Sequence, residues 1–211
     1  MNFVEPIKDM KKINIVCIID KSGSMSSIAA DAINGFNTFL LDQQKADYKA
    51  KMTLLLFDSH SYKLYDNVNV NKIEPLNDKT YRTGTMTALY DAIGTSIDEH
   101  LDRLASTPPE KRGEKTLFVI LTDGYENNSR MFGKDMIKLK IDEMREEFNS
   151  EFIFLAANQD ACFVAEGMGI SRSNSYDYAA TSDGITKAYS KISEATTTYA
   201  TTEAKENLFQ K

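Results

Sequence analysis

No window of the 211-residue sequence approaches the about 18 successive apolar residues of a membrane span. The first twelve residues carry no apolar stretch behind a basic start, so no cleaved secretion signal is expected either. Glycine and proline are scarce, at 10 and 4, which excludes collagenous and low-complexity classes. The two cysteines, Cys17 and Cys162, have the spacing of neither a zinc knuckle nor a redox pair. They read as buried free thiols in a reducing compartment, a single long-range disulfide being the other possibility. Basic residues cluster only at Lys8, Lys11 and Lys12, a solvated lead-in to the first strand, and 25 basic against 31 acidic residues leave a net charge of −6. Nucleic acid is therefore not expected as a partner. A Gly-rich phosphate loop and a Ser-His-Asp set are both missing. The expectation is a soluble, cytoplasmic, monomeric protein with no membrane association.

What remains is an ordinary globular composition, 42% hydrophobic and 27% charged, sized for one domain over residues 1–211 with its core at about 13–208. Residues 13–19 form an almost unbroken apolar run of the kind found in a central strand covered on both faces. A Ser/Gly-rich turn follows, then apolar positions Ile28, Ala32, Ile33, Phe36, Phe39 and Leu40 at helical spacing. Residues 52–57 and the alternating 62–68 read as a hairpin with an edge strand. Leu89, Ile93, Ile97, Leu101 and Leu104 mark a second helix that stops before Pro108 and Pro109. Further strands are predicted at 116–121, 152–157 and, weakly, 173–180. Helices are predicted around Ile137 to Phe148, over 160–167, and over 183–208. Strands alternating with helices imply a doubly wound, mostly parallel six-stranded α/β sheet with one antiparallel edge strand. Such sheets bind ligands beyond the carboxyl ends of their strands.

Three of those strand-end loops carry oxygen ligands. Asp20, Ser22 and Ser24 alternate directly after the first strand; Thr85 and Thr87 stand before the second helix; Thr122-Asp123-Gly124 ends a later strand. Oxygen donors with few carboxylates suit Mg²⁺ or Mn²⁺, and Ca²⁺ less well. The bland alternatives are helix capping by Ser22 and Ser24, an ordinary Asp-Gly turn at Asp123, and a first-turn helix acid at Asp91. His60 and His100 have no partner at metal or catalytic spacing and read as solvated. Met25 and Met86, flanking the loops, read as core.

In their order along the chain, DxSxS after a hydrophobic strand, then TALYDAI, then ILTDG, these motifs resemble the von Willebrand factor type A domain family with its metal-ion-dependent adhesion site. The resemblance extends from Ile13 to about Leu208. It implies a sheet in the order 3-2-1-4-5-6 and a divalent cation held by Asp20, Ser22, Ser24, Thr87 and Asp123, with Thr85 the other threonine candidate. It further implies a binding module, not an enzyme, in which an Asp or Glu of a protein partner completes the coordination. Tyr125, Glu126, Asn127 and Asn128, with Asn158, Gln159 and Asp160 from the next loop, are the residues placed to read that partner. An intracellular adaptor of the bacterial or phage type is the setting this suggests. The other function considered is metal-dependent phosphoryl transfer with Asp20 as nucleophile. Against it, Lys21 is the only cation in the loop and Ser22 stands where a second acid would be needed.

Overall fold

A computed structural model describes residues 11–157 and 160–209. Its central strand β1 (Lys12–Asp20) pairs in parallel with β2 (Lys49–Phe57) on one side and β4 (Lys115–Thr122) on the other. Strands β5 (Ser150–Ala157) and β6 (Ser175–Tyr178) extend the parallel set beyond β4. Strand β3 (Ser61–Asn69) pairs antiparallel with β2. The sheet order is β3-β2-β1-β4-β5-β6, as the resemblance implied. Edge strand β3 is partly exposed, and a register irregularity facing Met52 to Leu55 breaks its pairing. Asn67 there adopts a positive φ of 53°, a kink that makes an edge a poor template for further strands.

Two helical layers close the core. Side chains alternate along β1, so Ile13, Ile15, Cys17 and Ile19 meet helix α1 (Ala29–Lys45) and the last long helix, while Val16 and Ile18 face the other way. That other face is covered by α2 (Leu89–Ser106), α3 (Lys134–Glu147) and the short α4 (Ala161–Gly167). Burial on both faces is why β4 and β5 read as continuous apolar runs, since every residue of each is buried. Helix α5 (Ser182–Thr201) approaches α1 so closely that a Cβ on Gly35 would lie 2.2 Å from the Tyr189 ring. No described helix is long and apolar enough to cross a membrane.

Element boundaries depart from the sequence expectation in places with local causes. A 3-10 turn, Gly23–Ile28, precedes α1 because the Ser/Gly loop must coil tightly before the helix can begin. Helix α5 ends at Thr201, short of residue 208, within a run of β-branched threonines that favour helix poorly. Both cysteines are free, Cys17 buried and Cys162 half-buried. Lys11 is paired with Glu203 at 3.1 Å and is not simply solvated, Lys12 opens β1, and Lys8 lies outside the described residues.

His100 corrects the sequence expectation outright: it is 2% exposed, not solvated. It lies three residues beyond Ile97 on the apolar face of α2, with its ring edge-on to Phe118 at 5.6 Å. Arg103 approaches Nδ1 at 3.4 Å and Thr116 Oγ1 approaches Nε2 at 3.1 Å. A guanidinium only donates, so Nδ1 accepts and Nε2 carries the proton that Thr116 accepts. Burial, then the Arg103 charge, lowers the His100 pKa from 6.5 to about 4. The unfolded chain takes up this proton near its ordinary value while the folded chain refuses it until about 4. The resulting stability is complete above 6.5 and lost as pH falls towards 4, amounting to about 3 kcal/mol.

Two outcomes are expected. In an NMR titration the His100 ring, assigned with His100→Gln, should titrate near 4; a midpoint above 6 would remove this account of its burial. Gly35→Ala should lower stability by about 1–3 kcal/mol in thermal unfolding, because the Tyr189 ring has nowhere to retreat.

Candidate metal centre

Strands β1 and β4 are neighbours, with Ile19 opposite Leu121, so Asp20 and Thr122 end them side by side where the connecting loops part. Asp20 is fully buried. Its Oδ1 accepts from Ser22 N at 2.6 Å and its Oδ2 from Thr122 Oγ1 at 2.6 Å. The first contact turns the chain back over the strand end. The second ties two loops together through one carboxylate.

Ser22 stands in extended conformation ahead of the 3-10 turn, and its side chain makes no capping bond. The capping alternative thus fails at Ser22, whose hydroxyl instead lies 3.1 Å from Ser24 Oγ. Ser24 Oγ in turn donates to Asp123 Oδ1 at 2.5 Å. A Cβ added to Gly124 would lie 3.0 Å from Thr87 Oγ1, 3.4 Å from Ser24 Oγ and 3.8 Å from Ser22 Oγ. Three hydroxyls from two loops therefore gather over the backbone of the third loop, and a side chain at 124 would intrude among them. Thr87 is 3% exposed and belongs to this group, whereas the Thr85 hydroxyl is exposed and bonded to Ser59 Oγ at 3.0 Å.

The loops are interlocked from behind. Gly23 N donates to Thr85 O at 3.1 Å, Gly84 N to Lys21 O at 2.6 Å, and Ala88 N to Asp58 O at 2.8 Å. The Lys21 ammonium pairs with the Asp58 carboxylate, both largely buried. This pair lowers the Asp58 pKa despite the opposing effect of burial. Gly84 is required here, since a Cβ would fall 1.8 Å from Asp58 Oδ2. Lys21 is thus turned away from Asp20 and Asp123. Among the described residues neither carboxylate has an ion-pair partner.

Electrostatics follow from that arrangement. Burial pushes the Asp20 carboxyl up to about 6, against the Thr122 and Ser22 hydrogen bonds, with the Asp123 charge adding a smaller push. Asp123 is likewise raised by burial and restrained by the Ser24 hydroxyl. Two desolvated acids and three neutral hydroxyls, all oxygen, form the donor set of a hard divalent cation. The residues present fit such an ion.

Several expected rim residues serve the scaffold. Asn127 clamps Thr87 from both sides, its Oδ1 accepting from Thr87 N at 2.9 Å and its N–H donating to Thr87 O at 3.0 Å. Glu126 accepts from Tyr90 N at the start of α2 and from the backbone of Asn128 and Ser129. Asp91 is saturated by the N–H groups of Arg130, Met131 and Phe132, at 2.9 to 3.0 Å. Asp160 caps α4 through Phe163 N. Together with Cys162 and Asp177 it forms a second acidic group, in which Asp177 accepts from Ala161 N. Tyr125 stays 61% exposed, while Asn158 and Gln159 lie outside the described residues. Met25 is core as expected, but Met86 is 44% exposed beside Thr87 because its loop crosses the top of the sheet, not its face.

Sequence reasoning missed the residues beneath the site. Thr122 was noted only as part of the Thr122-Asp123-Gly124 strand end and given no role of its own, although it is the one hydroxyl closing an apolar run. Tyr81 donates to Asp20 O at 2.6 Å and Tyr178 to Thr122 O at 3.0 Å, and neither carries a local signal.

By sequence, no curated protein matches the chain. The model of the von Willebrand factor type A domain matches residues 14–175. Similar solved structures include the ArnB paralog VWA2 from Sulfolobus acidocaldarius, with TM-score 0.59 and 17% identity over 89% of this chain and 46% of that one. The pilus adhesin SpaC from Lactobacillus rhamnosus GG aligns with TM-score 0.63 and 14% identity over 92% and 31%. Proximal thread matrix protein 1 from the mussel byssus, with a zinc occupied MIDAS motif, aligns with TM-score 0.59 and 12% identity over 91% and 47%. The chain spans less than half the length of each, and at these identities the likeness is one of fold.

With its folded pKa raised, Asp20 costs stability that grows as pH rises from 3.8 through about 6, approaching about 3 kcal/mol above it. In EDTA at pH 8, Asp20→Asn should therefore melt higher than the wild type, and the gain should vanish near pH 4. A variant less stable than the wild type at pH 8 would show that the carboxylate is not a cost.

Proposed function

The chain belongs to the von Willebrand factor type A domain family, and on that premise we propose that it is a divalent-metal-dependent protein-binding module. Members of the family are commonly metal-dependent interaction modules. The observation that carries the proposal is the gathering of Ser22, Ser24 and Thr87 hydroxyls with the Asp123 carboxylate over Gly124, and Asp20 behind them. These five residues would hold Mg²⁺ or Mn²⁺. Two carboxylates roughly neutralise a doubly charged ion, and neutral hydroxyls leave it electrophilic. Such an ion supplies a Lewis-acidic centre that takes an external carboxylate oxygen, here an Asp or Glu of a partner protein. Tyr125 and Met86, exposed at the rim, offer the partner an aromatic and a soft apolar contact.

Phosphoryl transfer is the weaker reading on three counts. Asp20 is fully buried and both its oxygens accept hydrogen bonds from the loops around it, so an incoming phosphoryl group meets no exposed carboxylate. Lys21 is committed to Asp58. Ser22 occupies the position two residues on, where a general acid/base would be required.

Thermal unfolding tests the metal. Mg²⁺ or Mn²⁺ at a hundredfold excess over its Kd should add about 2.7 kcal/mol relative to EDTA, a rise of several degrees. The Asp20→Ala, Ser22→Ala double variant should show no rise, and a partner captured in Mg²⁺ should be released by EDTA. A wild-type melting temperature unmoved by millimolar metal would overturn the metal-dependent reading.

A further inference from the structure

At the opposite pole of the sheet, where β1 and β2 begin, a groove of about 390 Å³ opens between the strand starts and residues 110–113. Five cations surround it: Lys12, Lys49, Lys51, Lys111 and Arg112. Among the described residues none of the five is in an ion pair, although the chain carries more acidic than basic residues. Several lysines elsewhere do pair, Lys63 with Asp66 and Glu99, Lys140 with Asp98 and Lys187 with Asp183, whereas here five unpaired cations line one groove. Arg112 is held in place by Nε donating to Thr107 O at 2.7 Å, which leaves its two terminal nitrogens for another acceptor. Gly113 lets this segment lie directly on Asn14, since a Cβ there would stand 2.6 Å from the Asn14 amide. The groove is thus built by a close backbone approach.

Cations are expected near helix C-termini, where they offset the helix dipole. In this fold Lys45 and Arg103 already occupy the last turns of α1 and α2. The groove cations sit instead on the strand starts and on the 3-10 turn Pro109–Lys111 and its end, so helix dipoles do not account for them. The floor carries the apolar Ile13 and Ala50, and a single acid, Glu110, faces the five cations. No aromatic ring lines the groove, so nucleobases have nothing to stack upon. Carboxylates spaced along an extended chain fit better: each meets an ammonium or the Arg112 fork, while the peptide backbone lies over the apolar floor.

We propose that this groove binds an extended acidic segment of a partner protein, independently of the metal centre at the other end of the sheet. The test is fluorescence anisotropy with the full chain in EDTA and a labelled hexaglutamate peptide, with hexaglutamine and a single-stranded oligonucleotide of equal charge as comparisons. Hexaglutamate should bind saturably and hexaglutamine should not. The exposed triple substitution Lys49→Gln, Lys51→Gln, Lys111→Gln should weaken binding about tenfold or more while leaving the melting temperature in place. Should the triple variant unfold, Lys111→Glu alone carries the comparison. The Asp20→Ala, Ser22→Ala variant should bind hexaglutamate as the wild type does, which separates failure here from failure of the metal centre. Absence of saturable binding, binding indifferent to the lysine substitutions, or oligonucleotide binding as tight as the peptide's would each overturn the proposal.

Discussion

The upper end of the molecule depends on one buried carboxylate at the end of β1. Asp20 forgoes hydration and gains two short hydrogen bonds, from Ser22 N and Thr122 Oγ1. Those bonds do not fully offset desolvation, as its raised pKa records. The residual cost is a standing electrostatic demand at the junction of three loops. Hydroxyls moderate it, because Ser24 donates to Asp123 and Thr122 to Asp20, but a hydroxyl carries no charge. The nearest lysine is withdrawn by Asp58. A site that keeps its acids desolvated and its own cation elsewhere retains an attraction for a cation from outside.

Precision at this junction comes from behind it. The Lys21–Asp58 pair, the Gly84 approach and the crossed backbone hydrogen bonds lock the β1 loop to the loop before α2. The two-way Asn127 clamp then locks the loop before α2 to the loop after β4. Glu126 and Asp91 extend the same principle, each using a carboxylate to satisfy backbone N–H groups that a tight loop would otherwise leave unpaired. Hydroxyls can be held on loops this well only when the loops themselves have become rigid.

The sheet was legible because its fully buried strands are unbroken apolar runs, while β3, with no fully buried residue, carries the mixed sequence of an edge. The five ligand candidates gather at one end of the sheet because their order along the chain fixes which strand end each must occupy. His100 was misjudged because a polar name outweighed its position; counted from Ile97, it lies on the buried face of α2. Glu126, Asn127 and Asp91 were assigned outward or generic roles, since nothing local distinguishes a carboxylate that meets a partner from one that turns in to bind backbone. Tyr81 and Tyr178 could not be found at all: their hydroxyls meet Asp20 and Thr122 across 61 and 56 residues of sequence. Of the groove cations only Lys12 drew notice in the sequence, because the pole that unites the five exists only after β1 and β2 pair.

Asp20 and Thr122 touch although 102 residues separate them, and Thr87 is held by Asn127 from 40 residues away. Synthesis runs from the N-terminus, so a chain emerging from a ribosome carries the first loop long before the other two exist. The hydroxyl cluster cannot close until β4 has emerged and inserted beside β1, and residue 127 has followed it. Until then β1 has an open edge on the side β4 will fill, and Asp20 can remain hydrated. Closure of the hydroxyl cluster is therefore a late event in biogenesis, decided by strand insertion and not by the first motif the ribosome delivers.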